Sequence, residues 1–236
     1  VPGARFSASI AEAVEALRAN PLNATSHAEW TPIRAGISAD GEHGFTFGYM
    51  TTRRADGTVT PGKYLAYWVK GADGWRVAVY RNRARAEGDV SMALLPPTLP
   101  TLMVARGTAG DVERHRASLD AAERAFSNEA QAIGLNAAFT KFGTADAVNM
   151  GGPATGFVTG AAAIGKAVSE GEPATGSSVK WAPERVIVAS SGDLGVTIGT
   201  IHPNQPPADG SPAPRYPFFT IWHRAHPNAP WRYIAE

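Results

Sequence analysis

Few residues in this 236-residue chain have the type and spacing to do chemistry. There is no cysteine, which excludes disulfides, thiolate nucleophiles and zinc–sulfur sites. His223 and His226 stand in His-Arg-Ala-His before Pro227-Asn228-Ala229-Pro230. A spacing of three can present two metal ligands on a helix, but in a hairpin it rarely does. His115 falls on the inward face of a helical pattern and reads as a satisfied core histidine, while His27, His43 and His202 are scattered, so no metal is expected. Gly151-Gly152-Pro153-Ala154-Thr155-Gly156 lacks the lysine of a phosphate loop, and no serine sits in a Gly-x-Ser-x-Gly turn. What remains is one carboxylate, Asp146 in Thr144-Ala145-Asp146-Ala147-Val148, and two phenols, Tyr216 and Tyr233. A carboxylate enclosed by apolar groups has a raised pKa and can move protons; the alternative is a turn or cap aspartate at the start of a strand. The phenols read either as hydrogen-bond donors to a reacting group or as sheet residues with the hydroxyl at an edge.

Charge excludes further classes. The chain carries 22 Lys and Arg against 21 Asp and Glu, without the basic excess that phosphate-backbone binding needs, so no nucleic-acid partner is expected. Arg81, Arg83 and Arg85 read as a solvated strand end. No run of about 18 apolar residues exists, so no membrane span is expected, and no motif asks for a cofactor.

The elements that must position these groups come twice. All six tryptophans fall into three pairs: Trp30/Trp181 at an offset of 151, Trp68/Trp222 at 154 and Trp75/Trp231 at 156. The first offset holds from Phe6/Phe157 through Pro32/Pro183, Arg34/Arg185, Gly41/Gly192, Gly44/Gly195 and Thr46/Thr197 to Gly48/Gly199. A period this long reads as a duplicated domain, since solenoid repeats run about 20–50 residues.

The second copy is the fuller one. Val112, His115, Leu119, Ala122, Phe126, Ala130 and Ile133 recur at helical steps and end at Gly134. Leu135, Ala138, Phe139 and Phe142 predict a second helix, and Ala161, Ile164 and Val168 a third. Strands follow over Val179–Ser190, Leu194–Ile201, Phe218–Arg224 and Trp231–Ala235, with an exposed loop at His202–Arg215. In the first copy a capped helix carries Ile10, Ala13, Val14 and Leu17, before strands around Glu29–Ile37, His43–Thr51, Lys63–Lys70 and Trp75–Arg81. It has no counterpart of residues 111–150. The division is therefore residues 1–83, a linker at 84–110, and residues 111–236.

Helices followed by a curved antiparallel sheet make an α+β cone. Leu119-Asp120-Ala121-Ala122-Glu123-Arg124-Ala125-Phe126, Trp181-Ala182-Pro183, Ser191-Gly192-Asp193-Leu194-Gly195-Val196-Thr197-Ile198-Gly199, Phe219-Thr220-Ile221-Trp222 and Trp231-Arg232 together resemble the SnoaL-like branch of the nuclear transport factor 2-like superfamily. The likeness covers nearly all of 112–236, and residues 6–82 match its C-terminal two-thirds. It implies two tandem cones, each a curved antiparallel sheet with helices on its concave side, the first without its N-terminal helices. It implies a mostly apolar pocket, lined here by Phe126, Phe139, Trp181 and Trp222. It also implies pairing of cones through their sheets, which two copies in one chain can do internally, as a pseudo-dimer.

The superfamily includes isomerases, dehydratases, hydrolases, cyclases and members with no catalysis, so the fold does not decide the function. In an enzyme reading Asp146 is the general base and Tyr216 or Tyr233 the donor. The inward positions Ala121, Phe126 and Ala130 offer no tyrosine where an isomerase needs one. The leading expectation is thus a non-catalytic binder of a small apolar ligand, or an interaction module; the alternative is a small-molecule isomerase, dehydratase or hydrolase. Val1 stands inside a repeat, which predicts an upstream segment and an exported protein. A first sheet without helices would expose a large apolar face. The apolar linker Ser91–Val104 is expected to cover it at least in part, with an upstream segment, a partner chain or self-association as the other covers.

Overall fold

The computed structural model describes residues 9–152, 154–205, 207 and 210–236; Phe6 and its place in the repeat lie outside them. The chain is α+β, with two open sheets and, among the described residues, four α-helices. Helix α1 (Ile10–Ala19) and a single 3-10 turn (Pro21–Thr25) lead into β1 (His27–Ile37), β2 (His43–Arg53), β3 (Val59–Gly71) and β4 (Gly74–Ala84), an antiparallel meander. Then come α2 (Ala109–Ile133), α3 (Leu135–Phe142), β5 (Gly143–Asn149), β6 (Val158–Thr159), α4 (Ala161–Val168), β7 (Val179–Val188), β8 (Leu194–Pro203), β9 (Tyr216–His223) and β10 (Arg232–Ala235). The second sheet runs β6-β5-β10-β9-β8-β7, antiparallel except where β10 pairs with β5. No described helix is long and apolar enough to cross a membrane.

The first long strand of each sheet carries the same irregularity. β1 slips register against β2 between Pro32 and Arg34, and β7 slips against β8 between Pro183 and Arg185. The partner of each proline is a glycine, Gly48 and Gly199. A Cβ on Gly48 would lie 2.1 Å from the Thr31 carbonyl oxygen, and one on Gly199 would lie 2.1 Å from that of Ala182. The bulge presses the two backbones together, and only glycine leaves room.

Strand alternation then fixes which face meets what. Phe45, Phe47, Tyr49, Leu65 and Tyr67 of the first sheet share one buried core with Val196, Phe219, Ile221 and Ile234 of the second. The opposite face of the second sheet packs on the helices through Phe126, Phe139, Trp181, Trp222 and Tyr233. The layers are thus four-stranded sheet, six-stranded sheet, helices.

Polar contacts lock the two sheets together. Asp40 accepts from the Ser190 hydroxyl (2.7 Å) and the Ser191 amide (3.1 Å), while Asp193 accepts from the Ala39 amide (2.9 Å). Lys63, fully buried on β3, donates to the carbonyls of Gly152, Ala154 and Gly156 at 3.2, 3.0 and 2.8 Å. The glycine-rich loop is therefore a cage of acceptors around an ammonium of the other half.

The linker does not lie over the first sheet's outer face, contrary to expectation. Its amides at Leu95 and Thr98 donate to the carbonyls of Ile33 and Ala35 along the edge of β1, and that of Val104 to Ala39 in the turn just beyond it. The open edge needed partners for those carbonyls, and Pro96, Pro97 and Pro100, which lack an N–H, are tolerated at an edge. Leu94, Leu99, Leu102 and Met103 are left exposed.

The outer face is covered in part by its own side chains, with Trp30, Trp75 and Val77 left exposed. Met50, Tyr64 and Ala66 are buried there under Trp68, Tyr80 and Ala28. Trp30 of β1 donates its indole N–H to the Tyr80 hydroxyl of β4 (3.1 Å), and that hydroxyl lies 3.4 Å from the Met50 sulfur. α1 rests mainly on the 3-10 turn, with Leu17 exposed.

Candidate functional site

α2 begins at a reciprocal capping box between Thr108 and Asp111 and ends at Gly134, whose φ of 85° glycine alone adopts without strain. Its buried stripe is Leu119, Glu123, Phe126, Ser127 and Ala130. Ser127 accepts from the Trp181 amide (3.0 Å), and Gln131 donates to the Val179 carbonyl (2.9 Å), so the helix is tied to the β7 edge.

Glu123 thereby enters the space between helices and sheet. It is fully buried, and three side chains donate to it: Trp181 Nε1 at 2.6 Å, Trp222 Nε1 at 2.9 Å and the Thr197 hydroxyl. Burial raises its pKa against the pull of those donors. Sequence reasoning missed it, although Leu119, Glu123, Phe126 and Ala130 are spaced four, three and four apart, which puts the glutamate on the apolar stripe.

The expected pocket residues are brought together, but against one another. Phe126 lies 4.7 Å from Phe139, 5.0 Å from both Phe142 and Trp181, 5.7 Å from Tyr233 and 6.0 Å from Trp222, centroid to centroid. These are contact distances for aromatic rings. Phe126, Phe139, Trp181 and Trp222 therefore fill the space between the helices and the second sheet rather than line a pocket.

The proposed catalytic trio is not assembled. Tyr233 is fully buried with the rings, and its hydroxyl donates to the Phe139 carbonyl (2.9 Å), so it is no edge residue; burial raises its pKa strongly. Tyr216 opens β9 with 40% of its surface exposed. Asp146 lies within β5, on the same face as Val148, which packs toward the first sheet. Its carboxylate accepts from Arg34 Nη2 at 2.6 Å, and its carbonyl from Nη1 at 3.1 Å. Partial burial pushes the Asp146 pKa up, but Thr144 and Arg34 outweigh it and bring it below the usual value. That is the reverse of the tuning a general base needs.

Among the described residues the surface depressions include the following two. A cleft of about 730 Å³ between the halves includes Asp40, His43, Lys70, Arg106 and Arg185. His43 there shares a 2.9 Å hydrogen bond with the Tyr67 hydroxyl, and burial lowers its pKa. A shallower groove of about 630 Å³ lies between α2, the end of α3 and the β9–β10 hairpin, over Ser118, Phe142, Arg224 and Trp231. Among the described residues no cluster of three or more His, Asp or Glu is placed to hold a metal ion. No family model matches this sequence, and no curated protein matches it.

Proposed function

We propose that the chain is a non-catalytic binding protein of the SnoaL-like branch of the nuclear transport factor 2-like superfamily, made of two copies of one cone domain that pair internally through their sheets. The matched bulges opposite Gly48 and Gly199 support the duplication. So does a matched bond: Trp68 Nε1 donates to Thr46 and Trp222 Nε1 to Thr197, both at 3.0 Å. The observation that carries the non-catalytic reading is the filled cone. Six aromatic rings and a carboxylate with both oxygens engaged stand where a reactant would bind. Binding then belongs to the outer surfaces.

Benzene tests this, because a space emptied of one large apolar side chain stays dry and takes up such a molecule. Benzene-saturated buffer is expected to leave the native melting temperature unchanged and to raise that of Phe126→Ala. A rise in the native protein, with shifts of the Trp181 and Trp222 indole resonances, would show an open interior and overturn the reading.

A further inference from the structure

The groove beside the β9–β10 hairpin holds a buried cation that no carboxylate touches, with Asp193 acting on it only from a distance. Arg224 is 5% exposed, yet among the described residues no carboxylate lies within 4.0 Å of its guanidinium. Its partners are the Gly192 carbonyl, the Ser118 hydroxyl at 3.5 Å and His115 Nδ1 at 2.9 Å. A guanidinium only donates, so His115 accepts there and is neutral, with its hydrogen on Nε2. Three of the five guanidinium N–H donors are thus used, all on neutral acceptors. Taking such an ion out of water is unfavourable unless an anion or a full set of hydrogen bonds compensates.

The surroundings select the chemistry of the missing partner. The guanidinium carbon sits over the Trp231 ring, 4.2 Å from its centroid, and the indole donates its own N–H to Ser118 (3.2 Å), so both groups are held still. The groove has a second cation, Arg232, and no acidic residue in its lining. Ala121, Ala122 and Phe142 give it an apolar floor. The structure assigns this groove as a binding site for a small organic anion, with an apolar ring on the floor of Ala121, Ala122 and Phe142 and a carboxylate or similar head at Arg224. This deepens the reading above, because it places the ligand on the outer surface of the second half rather than within its cone.

The test is an NMR titration of the whole chain with 2-naphthoate and, separately, with its neutral isostere 2-naphthylmethanol. The Trp231 indole N–H, assigned by Trp231→Phe, is the readout. Naphthoate is expected to shift that resonance saturably and to bind at least about tenfold more tightly than the alcohol. Arg224→Lys is expected to keep part of this preference, and Arg224→Gln to abolish it. The comparison of the two ligands in the native protein holds even if the variants fold poorly. Equal binding of acid and alcohol, or no saturable shift at Trp231, overturns the site while leaving the filled cone intact. Saturable shifts at Trp181 and Trp222 instead would overturn both.

Discussion

The Trp30 indole, on one edge strand of the first sheet, donates to the Tyr80 hydroxyl on the opposite edge at 3.1 Å. In the second half the matching tryptophan, Trp181, donates to Glu123 of α2 instead. A tyrosine of the sheet takes the acceptor role that a helix supplies in the other half. The first sheet can therefore bury Met50, Tyr64 and Ala66 without a helix equivalent to α2.

Tyr80→Phe is expected to remove that acceptor while keeping the ring. Trp30 is 51% exposed, so its N–H can turn to water, and the cost is about 0.5–1 kcal/mol. Denaturant unfolding reads the loss, and the Trp30 indole resonance should move to a solvent-like position. An unmoved resonance would show that the bond does not hold the face closed.

Glu123→Ala is expected to be far more damaging. It leaves the buried Trp181 indole donor unpaired, takes from Trp222 one of its two acceptors, and opens a hole at the centre of the second half, a loss of about 3 kcal/mol. Glu123→Gln is milder and exposes the pH dependence. Burial raises the folded pKa of Glu123 above the ordinary 4.5. Its contribution is therefore fully present below pH 4.5 and is lost as pH rises through the folded pKa. Relative to Glu123→Gln, the native protein should lose ground as pH rises through that window. A difference that grows with pH would reverse the assignment.

Much of the fold was legible because it rests on backbone periodicity. The strands follow alternation, and the helices follow steps of three and four ended by Gly134 and Gly143. The site was less legible, because it depends on which face a polar residue joins. Glu123 looked like one charge among Asp120, Glu123 and Arg124, and only the register of α2 turns it inward. Asp146 and Tyr233 come from strands that lie side by side in the sheet, yet their side chains leave opposite faces. The linker's apolar composition suggested a cover, but composition does not record that the free carbonyls of β1 compete for its amides. Arg224 gave no signal at all, since its lack of a contacting carboxylate exists only in three dimensions.

Gly48→Ala and Gly199→Ala are expected to destabilise by similar amounts, about 3 kcal/mol each. In both, the new methyl meets a carbonyl oxygen at 2.1 Å, and backbone yields less readily than a side chain. Gly57→Ala is a different control: φ is +84°, with nothing within 4 Å of the added methyl, so its cost is backbone strain alone, about 1 kcal/mol. Thermal unfolding of the three variants reads the ranking. A mild effect at either bulge would mean that its strand can shift, and that the two bulges are not held alike.

Asp146→Asn separates the structural role of this carboxylate from a catalytic one. Arg34 is 8% exposed and also donates to Thr98 of the linker at 2.9 Å, so it joins both halves and the segment between them. Removing one partner of a fully buried pair costs roughly 3–5 kcal/mol. Asp146 is 60% exposed and water screens the pair, which reduces the expected loss to about 1 kcal/mol. The folded pKa of Asp146 lies below 3.8, so its contribution is present above pH 3.8 and fades as pH falls through the folded value. The native protein should therefore lose its advantage over Asp146→Asn in acid, and amide exchange at Thr98 should quicken in the variant at neutral pH. An unchanged stability at neutral pH, with exchange at Thr98 unaltered, would mean that Arg34 holds the junction through the Asp146 carbonyl alone and that the carboxylate is free for another task.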